Sequence, residues 1–150
     1  GMGCSIAARL AGSERNIFVM IGDGEIQEGS IWEAAMAAKH HELGNLKVIL
    51  DRNRIQNDDF CETQLRMFDI PAKWRSFGWD VMEIDGHNTG EVVKGLDFLI
   101  SNNDNPAILI ANTIKGKGVS YMEDNPAFHG AAPNDEQFRV AMEELGEVLA

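Results

Sequence analysis

The chain has 150 residues and a formal net charge of −11, which argues against a nucleic-acid surface, where a basic footprint is required. At 44% hydrophobic and 25% charged it has the composition of a globular domain, and a chain this long can bury roughly 70% of its unfolded surface around one core. No apolar run approaches the roughly 18 residues of a membrane helix, and Cys4 and Cys61 lack the paired spacing of a zinc site or a redox dithiol.

In chain order, the first residues carry no basic stretch, apolar core and cleavage site of a secretory leader, so the expected address is cytoplasmic, where two free thiols persist. Met2-Gly3-Cys4-Ser5 departs from the myristoylation pattern at Ala7. Residues 16–22 (NIFVMIG) predict a buried strand, and residues 30–43 a helix with Ile31, Ala34, Ala35, Ala38 and Leu43 at helical spacing, stopped by Gly44. Residues 46–50 predict a second strand, and residues 51–59, dense in Asp, Asn and Arg, a loop. A short helix over 71–77 feeds a strand over 79–84, Asp85-Gly86 makes a turn, and Thr89 opens a helix to about Asn102. Residues 107–112 predict a fourth strand, Gly116 and Gly118 flank Lys117 in a glycine loop, and Asn134-Asp135 opens a last helix to Val148.

Apolar strands alternating with helices predict an α/β fold, a parallel sheet covered by helices on both faces, because parallel pairs need crossover connections. With no internal repeat or low-complexity linker, residues 1–150 form a single expected domain. Ligands of such sheets sit beyond the carboxyl ends of the strands, where residues 22–24, 51–56 and 113–118 all fall.

On that rim, Gly22-Asp23-Gly24 lets the backbone turn sharply and approach a ligand while Asp23 projects an acid. The helix starting near Gly29 or Ser30 aims its unpaired amides at the same region, a natural place for a phosphate. An acid beside a phosphate calls for a cation, and Mg²⁺ takes one or two protein oxygens and completes its shell with phosphate and water. Asn53, 30 positions after Asp23 and one crossover later, offers an amide oxygen, and the carbonyl of Ile55 offers a third donor. Nucleotide-diphosphate binders, receiver-like domains and haloacid-type hydrolases all remain compatible with these features.

The run Gly22-Asp23-Gly24-Glu25-Ile26-Gln27-Glu28-Gly29-Ser30-Ile31-Trp32-Glu33-Ala34-Ala35, continued by Asp51-Arg52-Asn53-Arg54-Ile55-Gln56, resembles the thiamine-diphosphate motif of transketolases: a GDG, 28 intervening residues, then the Asn. Further matches follow in Trp74-Arg75-Ser76-Phe77-Gly78-Trp79, Asp85-Gly86-His87, Lys115-Gly116-Lys117-Gly118-Val119-Ser120 and Phe128-His129-Gly130-Ala131-Ala132-Pro133-Asn134. Together they resemble most closely the N-terminal, thiamine-diphosphate-binding subunit of split bacterial transketolases. The resemblance implies Asp23, Asn53 and the Ile55 carbonyl as ligands of Mg²⁺ or Ca²⁺, and Gly22, Gly24 and Asn53 around the diphosphate. It implies Ile114 as an apolar contact to the thiazolium, Lys115 as a phosphate neighbour, and His129 as the residue touching diphosphate and sugar substrate. Glu28 and Glu33 match acids of a network between cofactor sites at a subunit interface.

The implied reaction is transfer of a two-carbon ketol unit between sugar phosphates, in a homodimer whose apolar patch would come from Ile31, Trp32 and Met36. Relative to the family the chain begins after a segment that supplies active-site histidines and a glycine-rich turn. It also lacks the pyrimidine domain whose glutamate drives formation of the reactive ylid. The expectation is therefore a diphosphate domain that is inactive alone and needs a pyrimidine-domain subunit. The alternatives are a vestigial, non-catalytic cofactor-binding module, or part of another thiamine-diphosphate enzyme such as deoxyxylulose-phosphate synthase.

The remaining candidates have simpler readings. His40 and His41 are adjacent on a helix and point about 100° apart, which suits solvated residues better than metal ligands. His87 is explained by helix entry, Lys117 by a solvated loop, and Trp32, Trp74 and Trp79 by packing. Glu28 and Glu33 have a competing explanation in helix-dipole stabilisation.

Overall fold

The computed structural model describes residues 1–101 and 103–149, with side chains described through residue 146. The elements in chain order are α1 (Met2–Leu10), β1 (Ile17–Gly22), a 3-10 turn (Glu25–Gln27), α2 (Gly29–His40), β2 (Leu46–Arg52), α3 (Cys61–Gln64), α4 (Ile70–Ser76), β3 (Asp80–Asp85), α5 (Thr89–Ser101), β4 (Ala107–Asn112), a second 3-10 turn (Pro126–Phe128) and α6 (Asp135–Leu149). The four strands form one sheet in the order β1-β2-β4-β3, all parallel, with Ile21 beside Leu50 and Leu50 beside Ile110. The expected strands and long helices stand within a few residues of their predicted bounds, and the expected helix end at Asn102 lies outside the described residues. Among the described residues no helix is long and apolar enough to cross a membrane.

Alternation along the strands divides the interior in two. On one face Ile21, Val48, Leu50, Ile108 and Ile110 pack against Ala35 and Ala38 of α2 and Ile70 and Trp74 of α4. On the other, Ile84, Ala107 and Leu109 pack against Leu99 of α5, with Ile49 and Met82 at the margin. The predicted helices on both faces are thus present, but α5 covers the β3–β4 half. On β1, Phe18 and Met20 stay 47% and 69% exposed.

The tryptophans are packing residues: Trp74 lies 5.3 Å from Trp32 and 4.8 Å from Trp79 between ring centroids, and Trp79 Nε1 donates to the Ala35 carbonyl at 2.9 Å. Gly44 proves to serve packing rather than to stop a helix. α2 ends at His40, Glu42 takes φ +52°, and a Cβ on Gly44 would stand 1.7 Å from the Asn103 carbonyl oxygen. His40 and His41 are both exposed at the surface.

Candidate functional site

The carboxyl ends of β1 and β2 open into a cavity of about 490 Å³ lined by Gly22, Asp23, Gly24, Glu25, Gln27, Glu28, Asn53, Ile55, Gln56, Asn57 and His129. Seven residues named from the sequence, Gly22, Asp23, Gly24, Glu28, Asn53, Ile55 and His129, therefore meet in one place. Ile114 and Lys115 line a neighbouring cavity of about 450 Å³ at the exits of β3 and β4, and Asn53 forms part of both walls.

The turn after β1 is held from within. The Gly22 amide donates to Glu25 Oε2 at 3.2 Å, and the Gln27 amide donates to the Gly24 carbonyl at 3.2 Å. Gly24 has no room for a side chain, because a Cβ there would lie 2.7 Å from Gln56 Cβ. The β1 turn and the β2 loop thus touch at this glycine, which brings Asp23 and Asn53 to one cavity.

Asp23 is 4% exposed. One carboxylate oxygen accepts the Arg54 amide and the other the Cys61 thiol at 3.4 Å. Burial pushes its pKa up from the ordinary 3.8, against the lowering effect of those donors, and the charge of Asp51 adds to the rise. Burial, with the facing Asp23 charge second, pushes the Cys61 thiol up to about 12, so it serves as a donor and not as a nucleophile.

The β2 loop is ordered by its own polar groups. Asn53 Nδ2 donates to Asp51 Oδ2 at 3.2 Å, and Asn53 Oδ1 accepts the Ile55 amide at 3.0 Å. Asp51 in turn accepts the Thr113 hydroxyl, which ties this loop to the exit of β4. Arg54 adopts φ +68°, and an antiparallel bridge between Ile55 and Phe60 closes the loop onto α3. Ile55 lines the cavity wall and is 2% exposed.

Among the described residues no three His, Cys, Asp or Glu side chains converge as a metal cluster. The donors named from the sequence are the Asp23 carboxylate, the Asn53 amide oxygen and the Ile55 carbonyl, a hard-oxygen set that fits Mg²⁺ or Ca²⁺ and not a thiolate- or imidazole-bound metal. Two further observations agree with a charged ligand here. The buried Asp23 carboxylate would gain a counter-charge, and His129 Nδ1 is buried on the cavity wall with no hydrogen-bond partner among the described residues. Glu28 is the N-cap residue of α2, yet its side chain caps no helix amide and lies at the cavity edge, and Glu33 is exposed. Glu28 thus makes no capping hydrogen bond, and its charge at the N-terminus of α2 still suits the helix dipole. Lys117 is paired with Glu123 at 3.3 Å, as befits a loop residue.

Glu25, Gln27, Gln56 and Asn57 were not singled out from the sequence. Gln56 carried a signal, since it closes the Asp51-Gln56 motif. Glu25 folds back on its own turn, which no spacing rule reveals.

A parallel α/β sheet with a polar cavity at the carboxyl ends of its strands defines a ligand-binding domain of the doubly covered type. Residues 9–148 match the family model "Transketolase, thiamine diphosphate binding domain", and the chain belongs to that family. It is 39% identical over 147 residues to an apulose-4-phosphate transketolase subunit of Phocaeicola vulgatus, covering 98% of this chain and 52% of the relative. It is 38% identical over 144 residues to the 6-deoxy-6-sulfo-D-fructose transketolase subunit SqwG of a Clostridium species, covering 96% and 52%. The crystal structure of transketolase from Campylobacter jejuni superposes with a TM-score of 0.90 at 28% identity, over 97% of this chain and 24% of that one. The chain spans about half the length of the split-subunit relatives it matches.

Proposed function

We propose that this chain is a single diphosphate domain, residues 1–150, that holds thiamine diphosphate through a divalent cation for two-carbon ketol transfer between sugar phosphates. The observation that carries the reading is the convergence of Asp23, Asn53, Ile55 and His129 on one cavity within a chain of the thiamine-diphosphate-binding family. Asp23, the Asn53 amide oxygen and the Ile55 carbonyl would hold Mg²⁺ or Ca²⁺. Gly22 and Gly24 would let the diphosphate approach the backbone.

The thiazolium of the bound cofactor supplies the carbanion chemistry of ketol transfer. The chain's own residues bind and orient it: Ile114 offers an apolar contact, Lys115 a positive charge, and His129 a hydrogen bond at Nδ1, which has no partner among the described residues. Glu28, at the cavity edge, would face a second protomer in a homodimer. Met36, 51% exposed beside the partly buried Ile31 and Trp32, would supply the apolar contact.

Activity would need a pyrimidine-domain subunit. The split-subunit names of the relatives support this arrangement, and a cytoplasmic site suits the free Cys4 and Cys61. The test is reconstitution: the chain is mixed with a pyrimidine-domain subunit, thiamine diphosphate and Mg²⁺, and ketol transfer between sugar phosphates is followed. Turnover that appears only in the mixture supports the reading. A mixture with no turnover and no cofactor retention overturns it.

A further inference from the structure

β4 ends at Asn112, and the Thr113 amide makes a last ladder-like bond to the Arg52 carbonyl at 3.1 Å. Ile114 is the next residue, the first whose amide has left the sheet, and such a donor needs a partner of its own. It finds one 27 residues back in the chain: the Ile114 amide donates to His87 Nε2 at 2.8 Å. The bond fixes the state of the ring, because an accepting Nε2 places the imidazole proton on Nδ1.

His87 is an exposed residue whose backbone is pinned by hydrogen bonds of its turn. Its amide donates to Asp85 Oδ1 at 2.9 Å, the Asp85 amide donates to Glu91 Oε2 at 2.8 Å, and the Gly86 amide donates to the Asn112 carbonyl at 2.8 Å. A Cβ on Gly86 would lie 2.5 Å from Thr113 Cγ2, so the turn bears directly on the exit of β4. His87 and Ile114 both line the cavity of about 450 Å³ that shares Asn53 with the Asp23 cavity, and both line a further cavity of about 410 Å³.

We propose that His87 is a positioning residue: by accepting the Ile114 amide it sets the Ile114–Lys115 segment on the wall of the cavity that adjoins the Asp23 site through Asn53. The proposal goes beyond helix entry as the explanation of the Asp85-Gly86-His87 motif. Its consequence for cofactor affinity rests on the reading given under Proposed function.

The test compares the parent chain with His87→Leu, which keeps bulk and removes the acceptor, and His87→Gln, whose side-chain oxygen can reach the same donor. In the ligand-free proteins, amide exchange at Ile114 should quicken about tenfold in the Leu variant and stay within about threefold of the parent in the Gln variant. Nitrogen-15 spectra of the parent should show the His87 proton on Nδ1. Thiamine diphosphate with Mg²⁺ should bind about tenfold more weakly to the Leu variant, with affinity restored in the Gln variant. Unchanged Ile114 exchange in the Leu variant, a proton on Nε2 in the parent, or altered exchange with unaltered affinity would each overturn the proposal. A parent that binds no cofactor counts against the proposed function, and the exchange and tautomer measurements then decide on the contact itself.

Discussion

Asp23 is where folding and function pull in opposite directions. Its pKa is raised in the folded chain, so the fold holds this proton more tightly than the unfolded chain does. The metal-free protein therefore loses stability as pH rises from the ordinary 3.8 through the raised value. Asp23→Asn removes that penalty. In chemical denaturation without metal, the Asn variant should show a flatter stability profile than the parent across mildly acidic to neutral pH, while failing to gain stability from Mg²⁺ and thiamine diphosphate. A parallel pH profile in the two proteins would remove Asp23 from this account.

Gly24 makes the complementary case, since the close Gln56 side chain would have to shift to admit a methyl group. Gly24→Ala should cost about 1–3 kcal/mol in thermal or chemical unfolding, through overpacking of the two loops that build the cavity. An Ala variant as stable as the parent would show that the β1 turn and the β2 loop are not packed as described.

Between elements, α6 is tied to the β4 exit loop by the Tyr121 hydroxyl, which donates to the Gln137 carbonyl at 2.7 Å, and by Glu144. Glu144 accepts the Ser120 amide at 2.7 Å and the Ser120 hydroxyl at 2.5 Å, which holds its carboxyl below the ordinary 4.5. Within the loop, the Gly118 amide, donating to Glu123 at 3.0 Å, and then Lys117 lower Glu123 in the same way. For such depressed acids the stabilisation is complete above the ordinary value and is lost as pH falls through the depressed one. The amides of Gly118 and Ser120 should therefore lose exchange protection at pH below the ordinary carboxylate range, before the amides of β2 and β4 do. Simultaneous loss in the loop and the sheet would contradict the local role of these acids.

Elements were legible in the sequence where packing repeats along the chain. Residues 17–21 of β1 and 107–111 of β4 are continuously apolar, β2 is apolar apart from Lys47 and its last two residues, and the alanine periodicity of α2 matches the face it buries on the sheet. α1 was missed because Met2–Leu10 buries only Ser5 and Ala8, small residues that leave little apolar signal. The 3-10 turn at Glu25–Gln27 and the four-residue α3 are too short to show a period. The site was legible through Gly22-Asp23-Gly24 and Asn53 because strand ends place loops on one rim. The Cys61 thiol against Asp23 and the Ile114 amide on His87 were not, since these contacts join residues 38 and 27 positions apart with no shared period. Gly44 shows the converse error: glycine read as a helix stop is in fact required where Asn103 crosses it.

For the whole molecule, exposed apolar side chains are spread over several elements, from Leu10 on α1 to Ile100 on α5. Phe18 and Met20 lie open on edge strand β1, Met36 on α2, and Phe138 and Met142 on α6. If the α2 surface forms the homodimer, Met36→Glu should convert a dimer to a monomer in sedimentation while leaving the melting temperature of the monomer unchanged. A Met36→Glu protein that still dimerises would place the contact on another of these surfaces.

In the proposed function Asp23 and Asn53, brought together by the ends of β1 and β2, would hold the diphosphate of thiamine diphosphate through a divalent cation. Calorimetric titration of the purified chain with thiamine diphosphate and Mg²⁺, beside Asp23→Ala and Asn53→Ala, tests it most directly. The account predicts saturable binding that requires the metal and is lost in both variants. Binding that survives both substitutions, or an absence of binding that a pyrimidine-domain subunit does not restore, would contradict it.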